Sequence, residues 1–505
     1  MRAPQRQTYL LDGLIILTAF TFFVIACLLR IEFEWNVRYN DGWWYLNRAW
    51  LHSRGIFDEV SFYTVVYPLL VGAVNWLTND LIGAAIIVNA ISQLFLLIGV
   101  YMLGRQLVNR AVGLLSVFIL TINPSNLYHA RFISPDLLFI AVAVWIVVLA
   151  LQLAQQPRKV RAVILAVLLA TAPFIRTEGV VYSAVVLAAF VALYLRQRSW
   201  QSVIRYALIV TPIVGVAWSV YLILFLRGAD ALGTVQDALP QIFPIEGDLR
   251  VYQLRRTLEL AEWQLNRSDW LAILVGLVAL RTKVPVKILL LLPILLITFA
   301  YITFTPPFPL SRYTFQLVPY LAIILSALLT KMAQRFPLSL VTAVTLILSV
   351  QSAYQTLQRL PEPLAYQNDP QAVAFRQVTD ELAQWREANG HAQTTIYTIC
   401  TDLMIFAEFD IRLPYTGLLF SSRRFAPPEQ VLPQIAAQDA LLLVCPSVIT
   451  DLAFHPLNVE WMELYLYWHD PLNARADLAH MARYPLEEVG RVREYIIYRV
   501  KPARM

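Results

Sequence analysis

The sequence predicts a multi-span α-helical membrane protein of about eleven spans, N-terminus in the cytoplasm, followed by a C-terminal α/β domain outside the membrane. Three observations carry that prediction. The 505 residues are 58% hydrophobic and 15% charged, with a mean hydropathy of +0.58, which excludes both an ordinary soluble domain and a disordered chain. Apolar runs near 13–29, 81–103, 111–122, 136–154, 162–175, 179–195, 206–226, 270–280, 286–303, 313–330 and 337–354 recur at membrane length or close to it. Between them the charges sort by side.

Segments 1–10, 104–110, 155–161, 196–206, 281–287 and 331–336 hold fifteen Lys/Arg and no Asp or Glu, whereas 30–80 and 227–269 carry thirteen acids against nine bases. Basic residues collect on the cytoplasmic side. The net charge of +6 therefore reports topology, and no nucleic-acid partner is expected. The runs 111–122 and 270–280 are short, so they extend into polar flanks or are partly re-entrant. Residues 14–27 also resemble a signal peptide with Cys27 at a lipoprotein-like site, but Asp12 ahead of the run and the many later spans weigh against processing.

The outer segment 31–80 is too long for a turn and too polar to span. Trp43-Trp44-Tyr45-Leu46 and Ala49-Trp50-Leu51 predict an interfacial helix ending near Gly55, and 248–265 predicts a second within the 227–269 loop. These belong to a membrane module, 1–354. After Pro361-Glu362-Pro363 the composition changes. An amphipathic helix is expected at 371–389, with Ala374, Val378, Leu382 and Trp385 on one stripe, and strands at 394–400, 441–445 and 494–500. That pattern assigns 355–505 to an extracytoplasmic α/β domain. Cys400 and Cys445 lack metal-ligand spacing and are read as two buried thiols.

Four places can carry chemistry. Asp41, followed by Gly42 and a helical pattern, fits an N-cap and also a carboxylate held at the headgroup level among Trp43, Trp44 and Tyr45. Those aromatics are interfacial anchors, or stack on a sugar or lipid. Asn123, Pro124, His129, Arg131 and Asp136 share one short outer loop; it reads as a turn, yet ionisable groups at a membrane edge are functional candidates. Arg176-Thr177-Glu178-Gly179 interrupts an apolar stretch, either as a self-neutralising pair or as an Arg gripping phosphate. Arg312-Tyr313 offers a second outer-edge Arg. The guanidinium fork suits phosphate because it donates two aligned bonds and stays charged.

In the order and placement of these residues the chain resembles the GT-C-fold membrane glycosyltransferases, the superfamily of the protein O-mannosyltransferases and the lipid A aminoarabinose transferases. The resemblance spans the whole chain: Asp41 then Tyr45, the Gly104-Arg105 inner turn, Asn123-Pro124 with Arg131 and Asp136, Arg176-Thr177-Glu178-Gly179, Arg312-Tyr313 and the outer tail. It implies inverting transfer of a sugar from a polyprenyl-phosphate donor to an acceptor hydroxyl on a lipid, protein or glycan. Asp41 acts on the acceptor, and Arg176, Arg312, Arg131 and His129 face the donor phosphate. Tyr313 joins the stacking aromatics. Relatives carry Asp-Glu where this chain has Asp41-Gly42, so a second carboxylate is expected from Asp136 or Glu59. A divalent metal is compatible with the site but not required by the sequence. The compact basic inner loops favour a bacterial inner membrane. A lipid-linked sugar transporter, a non-catalytic envelope assembly protein and a ligase using a lipid-diphosphate donor are the competing readings; no internal repeat supports the first.

Overall fold

The structure, a computed structural model, describes residues 3–33, 37, 42–55, 65–228, 291, 315–335, 340–358, 360–398, 403, 406–407, 409, 411–412, 435–444, 486–493 and 495–501. Among them the chain begins with α1 (Ala3–Phe23), which continues through a π turn over Val24–Leu28. Helices α2 (Gly42–Ser53), α3 (Val66–Thr78), α4 (Leu81–Leu107), α5 (Arg110–Ile122) and the short α6 (Pro124–His129) follow. Next come α7 (Asp136–Gln155), α8 (Lys159–Ile175), a 3₁₀ turn at Thr177–Tyr182, α9 (Ser183–Gln197) and α10 (Trp200–Gly228). Beyond a 3₁₀ turn at Phe315–Leu317 lie α11 (Val318–Arg335) and α12 (Leu340–Gln358). The expected runs 270–280 and 286–303 and the helix at 248–265 fall outside the described residues.

Among the described residues, five segments are long and apolar enough to cross a bilayer: Leu10–Leu28, Leu81–Leu107, Asp136–Gln155, Glu178–Gln197 and Trp200–Tyr221. The chain is an integral membrane protein. Of the five, α4 and α7 are the most buried, while α1 and α10 leave most of their apolar surface uncovered, as helices against lipid do. Segment 31–80, expected to hold only an interfacial helix, also contains α3. Its 13 residues are short of a span, but Tyr67, Val71 and Gly72 are buried, and Gly72 lies so close to α2 that a Cβ there would meet the Ala49 carbonyl at 2.6 Å.

Side-chain caps fix the helix starts. Asp80 accepts from the Gly83 amide at 2.9 Å, Asn109 from Val112 at 3.0 Å, and Asn123 from Asn126 at 3.0 Å with Pro124 in the first turn. Helices α4 and α5 meet through Gly104 and Gly113; a Cβ on Gly113 would lie 2.6 Å from the Tyr101 carbonyl, so only glycine allows that approach. Below this crossing, Asp12 of α1 accepts from Tyr101 (2.5 Å) and pairs with Arg110 (2.6 Å), tying three helices together at one end of the bundle.

In the tail, α13 (Ala365–Asn368) and α14 (Pro370–Ala388) precede a five-stranded sheet of order β2-β1-β3-β5-β4. Strands β1 (Ile396–Thr398), β2 (Ile411–Arg412) and β3 (Leu441–Val444) are parallel; β5 (Tyr495–Val500) is antiparallel to β3 and to β4 (Leu486–Val492). The tail is seated on the membrane module. The Leu364 amide donates to the Leu29 carbonyl (2.5 Å), the Tyr366 amide to Ile31 (3.0 Å), and the Trp50 indole of α2 to Ala407 (2.8 Å). Cys400 and Cys445 lie outside the described residues. Cys27 is a buried free thiol.

Candidate active site at the outer end of the helical bundle

Because α5 has only 13 residues while α4 has 27, the chain turns at Asn123 well short of the outer end of α4. At 1.5 Å per residue, α4 is about 40 Å long and α5 about 20 Å. The α6 loop is thereby sunk into the bundle. Its polar residues Asn123, Ser125, Asn126, His129, Arg131, Ser134 and Asp136 are all buried.

The strongest electrostatic feature of this layer joins two segments 40 residues apart. Arg176 donates through Nη1 to Asp136 Oδ1 at the start of α7, and through Nη2 to Glu178 Oε1 at 2.6 Å. Its Nε lies 3.2 Å from both Glu178 oxygens, and Ser134 Oγ donates to Asp136 Oδ2 at 2.9 Å. All three charged side chains are at most 10% exposed. Gly179 makes the turn possible: a Cβ there would fall 2.6 Å from the Pro173 nitrogen of α8. Arg176 is thus paired with Glu178, with Asp136 as an additional partner. The trio carries one net negative charge.

Arg131 is different. It is 6% exposed, packs over the Tyr128 ring at 5.7 Å, and its Nε has no hydrogen-bond partner. Among the described residues no carboxylate lies within ion-pair distance of it. Burial pulls its pKa down, opposed by Cys27, Tyr128 and Glu32; a guanidinium nonetheless keeps its proton. His129 stacks on Phe315 (5.1 Å) and meets Tyr128 edge-on (5.1 Å), which brings the segment leading into α11 against α6.

Other members of the layer were not anticipated from the sequence. Asn89 and Gln93 of α4 are fully buried, and neither amide atom of Gln93 has a partner. Ser125 Oγ, Asn126 Oδ1 and Gln316 Nε2 are likewise buried without one. The signal was available: a polar side chain inside an apolar span is costly and marks a site by default. Buried polar atoms lacking partners point to water or a ligand.

Of the expected site residues, the structure brings together His129, Arg131, Asp136 and Arg176 in and around one buried loop. Tyr45 is buried edge-on against Tyr67 (5.8 Å), which favours packing over stacking on a sugar. Trp43 and Trp44 lie in the first turn of α2, their side chains outside the described set. Asp41, Glu59, Arg312 and Tyr313 also fall outside it, although α2 starts directly after Asp41 in sequence. Among the described residues, no three His, Cys, Asp or Glu side chains gather as a metal site.

The arrangement is a helical bundle with a recessed, charged outer layer beneath a seated tail. The sequence profile of the family described as dolichyl-phosphate-mannose-protein mannosyltransferase matches residues 64–221, from the start of α3 to α10. No curated protein sequence matches the chain. In fold it is similar to ArnT from Cupriavidus metallidurans bound to undecaprenyl phosphate: TM-score 0.59, 12% identity, 96% of this chain and 97% of that one. It is also similar to the arabinofuranosyltransferase AftD from Mycobacteria (0.54, 13%, 97% of this chain but 40% of that) and the apo oligosaccharyltransferase of Archaeoglobus fulgidus (0.51, 12%, 86% and 69%). The chain has the GT-C fold of integral membrane glycosyltransferases.

Proposed function

We propose that this protein transfers a sugar from a polyprenyl-phosphate donor to an acceptor hydroxyl at the outer face of the membrane, with inversion at the anomeric carbon. The observation that supports this best is Arg131: a buried guanidinium that, among the described residues, has no carboxylate at ion-pair distance, in a layer of buried polar atoms without partners. A buried cation so placed is a receptor for an anion, and a lipid phosphate arriving from the bilayer suits its depth. A chain of this fold has been solved with undecaprenyl phosphate bound.

In this reading Asp41, at the start of α2, takes the acceptor proton as the hydroxyl oxygen bonds to the anomeric carbon. The bond from that carbon to the phosphate oxygen breaks, and its electron pair leaves with the polyprenyl phosphate. Arg131 stabilises the departing charge, with Arg312 as a second donor from the outer edge. Asp136 is held by Arg176 and Ser134 through both oxygens, so it orders the site rather than abstracting a proton. The tail, 355–505, is the extracytoplasmic domain and lies over the acceptor side; the setting is a bacterial inner membrane.

The test is Asp41→Asn in the full chain in lipid nanodiscs, supplied with a panel of labelled polyprenyl-phosphate hexoses and pentoses. Transfer is expected to fall about 10²–10⁴-fold, the range for a positioned general base, with an unchanged elution profile. Wild-type turnover by the variant would remove Asp41 from the mechanism.

A further inference from the structure

Asn89 sits two turns below the outer end of α4, about 12 Å inside it, within a stretch long and apolar enough to span. It is fully buried, and every polar atom of its amide is used. Nδ2 donates to the carbonyl of Ala130 (3.3 Å) and to that of Phe132 (3.0 Å); Oδ1 accepts from the Tyr67 hydroxyl (3.1 Å). The two carbonyls belong to the residues on either side of Arg131. Holding both fixes the 130–131 and 132–133 peptide planes, one directly before Arg131 and one a residue beyond it, and so constrains the direction in which its side chain leaves the loop. The guanidinium then comes to rest over Tyr128.

The other end of the linkage leads to α2. Tyr67 of α3, itself fully buried, packs edge-on against Tyr45, three residues into the helix that starts after Asp41. Gly72 lets α3 lie against the α2 backbone. A single path of buried contacts therefore runs from the start of α2 through Tyr45, Tyr67 and Asn89 to the backbone around Arg131. Anchoring a loop needs no such extension; one amide–carbonyl bond would do that.

We propose that Asn89 is a positioning residue: with Tyr67 and Tyr45 it sets the Arg131 guanidinium relative to the first turn of α2, so that the anion receptor and the acceptor-side helix keep one geometry. This rests on the reading of Arg131 as the phosphate receptor.

The experiment uses the full chain in nanodiscs and two probes, undecaprenyl phosphate and undecaprenol, which differ only in the phosphate; the readout is the ratio of their affinities by native mass spectrometry. The wild-type protein prefers the phosphate, and Arg131→Met removes that preference. Asn89→Leu reduces it about tenfold, as loss of bonds that leave two buried carbonyls unpaired should, and Tyr67→Phe about threefold. In the Arg131→Met background, Asn89→Leu has no further effect on the ratio, because it acts through Arg131. If the ratio is unchanged in Asn89→Leu and Tyr67→Phe while Arg131→Met abolishes it, Asn89 only props the loop and the inference is overturned. An additive loss in the double variant overturns it too. An unchanged ratio in Arg131→Met sinks the receptor reading itself. Should Asn89→Leu fail to assemble, Tyr67→Phe, which removes one hydroxyl, decides.

Discussion

The two ends of the bundle solve the same problem in opposite ways. At the inner end of the bundle, that of the α4–α5 turn, Asp12 meets Tyr101 and Arg110, and the Arg110 side chain is 42% exposed. Water reaches one partner, the acid is satisfied, and among the described residues only Gln106 there keeps buried amide atoms without partners. At the outer end Asp136, Arg176 and Glu178 are shut away together, Arg131 lies buried with no described carboxylate at ion-pair distance, and Gln93, Ser125, Asn126 and Gln316 retain open hydrogen-bonding capacity. The inner cluster is a rivet joining α1, α4 and α5. Among the described residues the outer layer buries more polar atoms than its contacts satisfy, which is what a binding site does and a rivet does not.

The sharpest way to break this contrast is to remove one arginine at each end. Arg176→Ala leaves two buried carboxylates facing each other and should cost about 3–5 kcal/mol, read as loss of folded protein after extraction. Asp136→Asn with Glu178→Gln in the same background should recover it, because the uncompensated charge is gone. Arg110→Ala leaves Asp12 with Tyr101 and a wetter surround, so a clearly smaller loss is expected. Equal losses at the two ends would mean that both are rivets.

Arg131 sharpens the comparison from the other side. Replacing a buried cation that has no ion-pair partner among the described residues with an apolar side chain of similar length should change stability by no more than about 1 kcal/mol, or raise it. Transfer in Arg131→Met should fall about 10²–10³-fold, as when a preorganised charge-stabilising donor is removed. A large drop in melting temperature with activity retained would make Arg131 structural.

Much of the membrane module could be read from the sequence because helices in lipid must be apolar and their inner loops basic. Arg105, Arg110, Arg158, Lys159, Arg196 and Arg198 flag the turns that join α4 to α5, α7 to α8 and α9 to α10. The stripe through Val378, Leu382 and Trp385 gave α14, where Trp385 lies against Gly490 of β4. Helix α3 was not legible, since Tyr67, Pro68 and Asn75 dilute its hydropathy and its burial depends on α2. The site was half legible. Segment 123–136 and Arg176 stood out as ionisable groups amid apolar sequence, but nothing local reports that Asp136 and Arg176 meet, and Asn89 and Gln93 were absorbed into an apolar average. Asp41, Glu59, Arg312 and Tyr313 remain assignments from order and resemblance.

The smallest effect tests whether the outer surround also reaches α2. His52, near its C-terminal end, has its pKa lowered to about 4, first by burial and then by the Arg48 charge, against a hydrogen bond with the Pro68 backbone. Between about pH 4 and the ordinary histidine value near 6.5 the unfolded chain holds a proton that the folded chain does not. Stability must then rise with pH across that window and level off above it. Melting curves from pH 4.5 to 7.5 should show this slope in the wild-type protein and a shallower one in His52→Gln. Because His52 is only half-buried, the difference should be modest. An identical slope in the variant would place the pH dependence elsewhere and leave α2 uncoupled from the desolvation that distinguishes the outer layer.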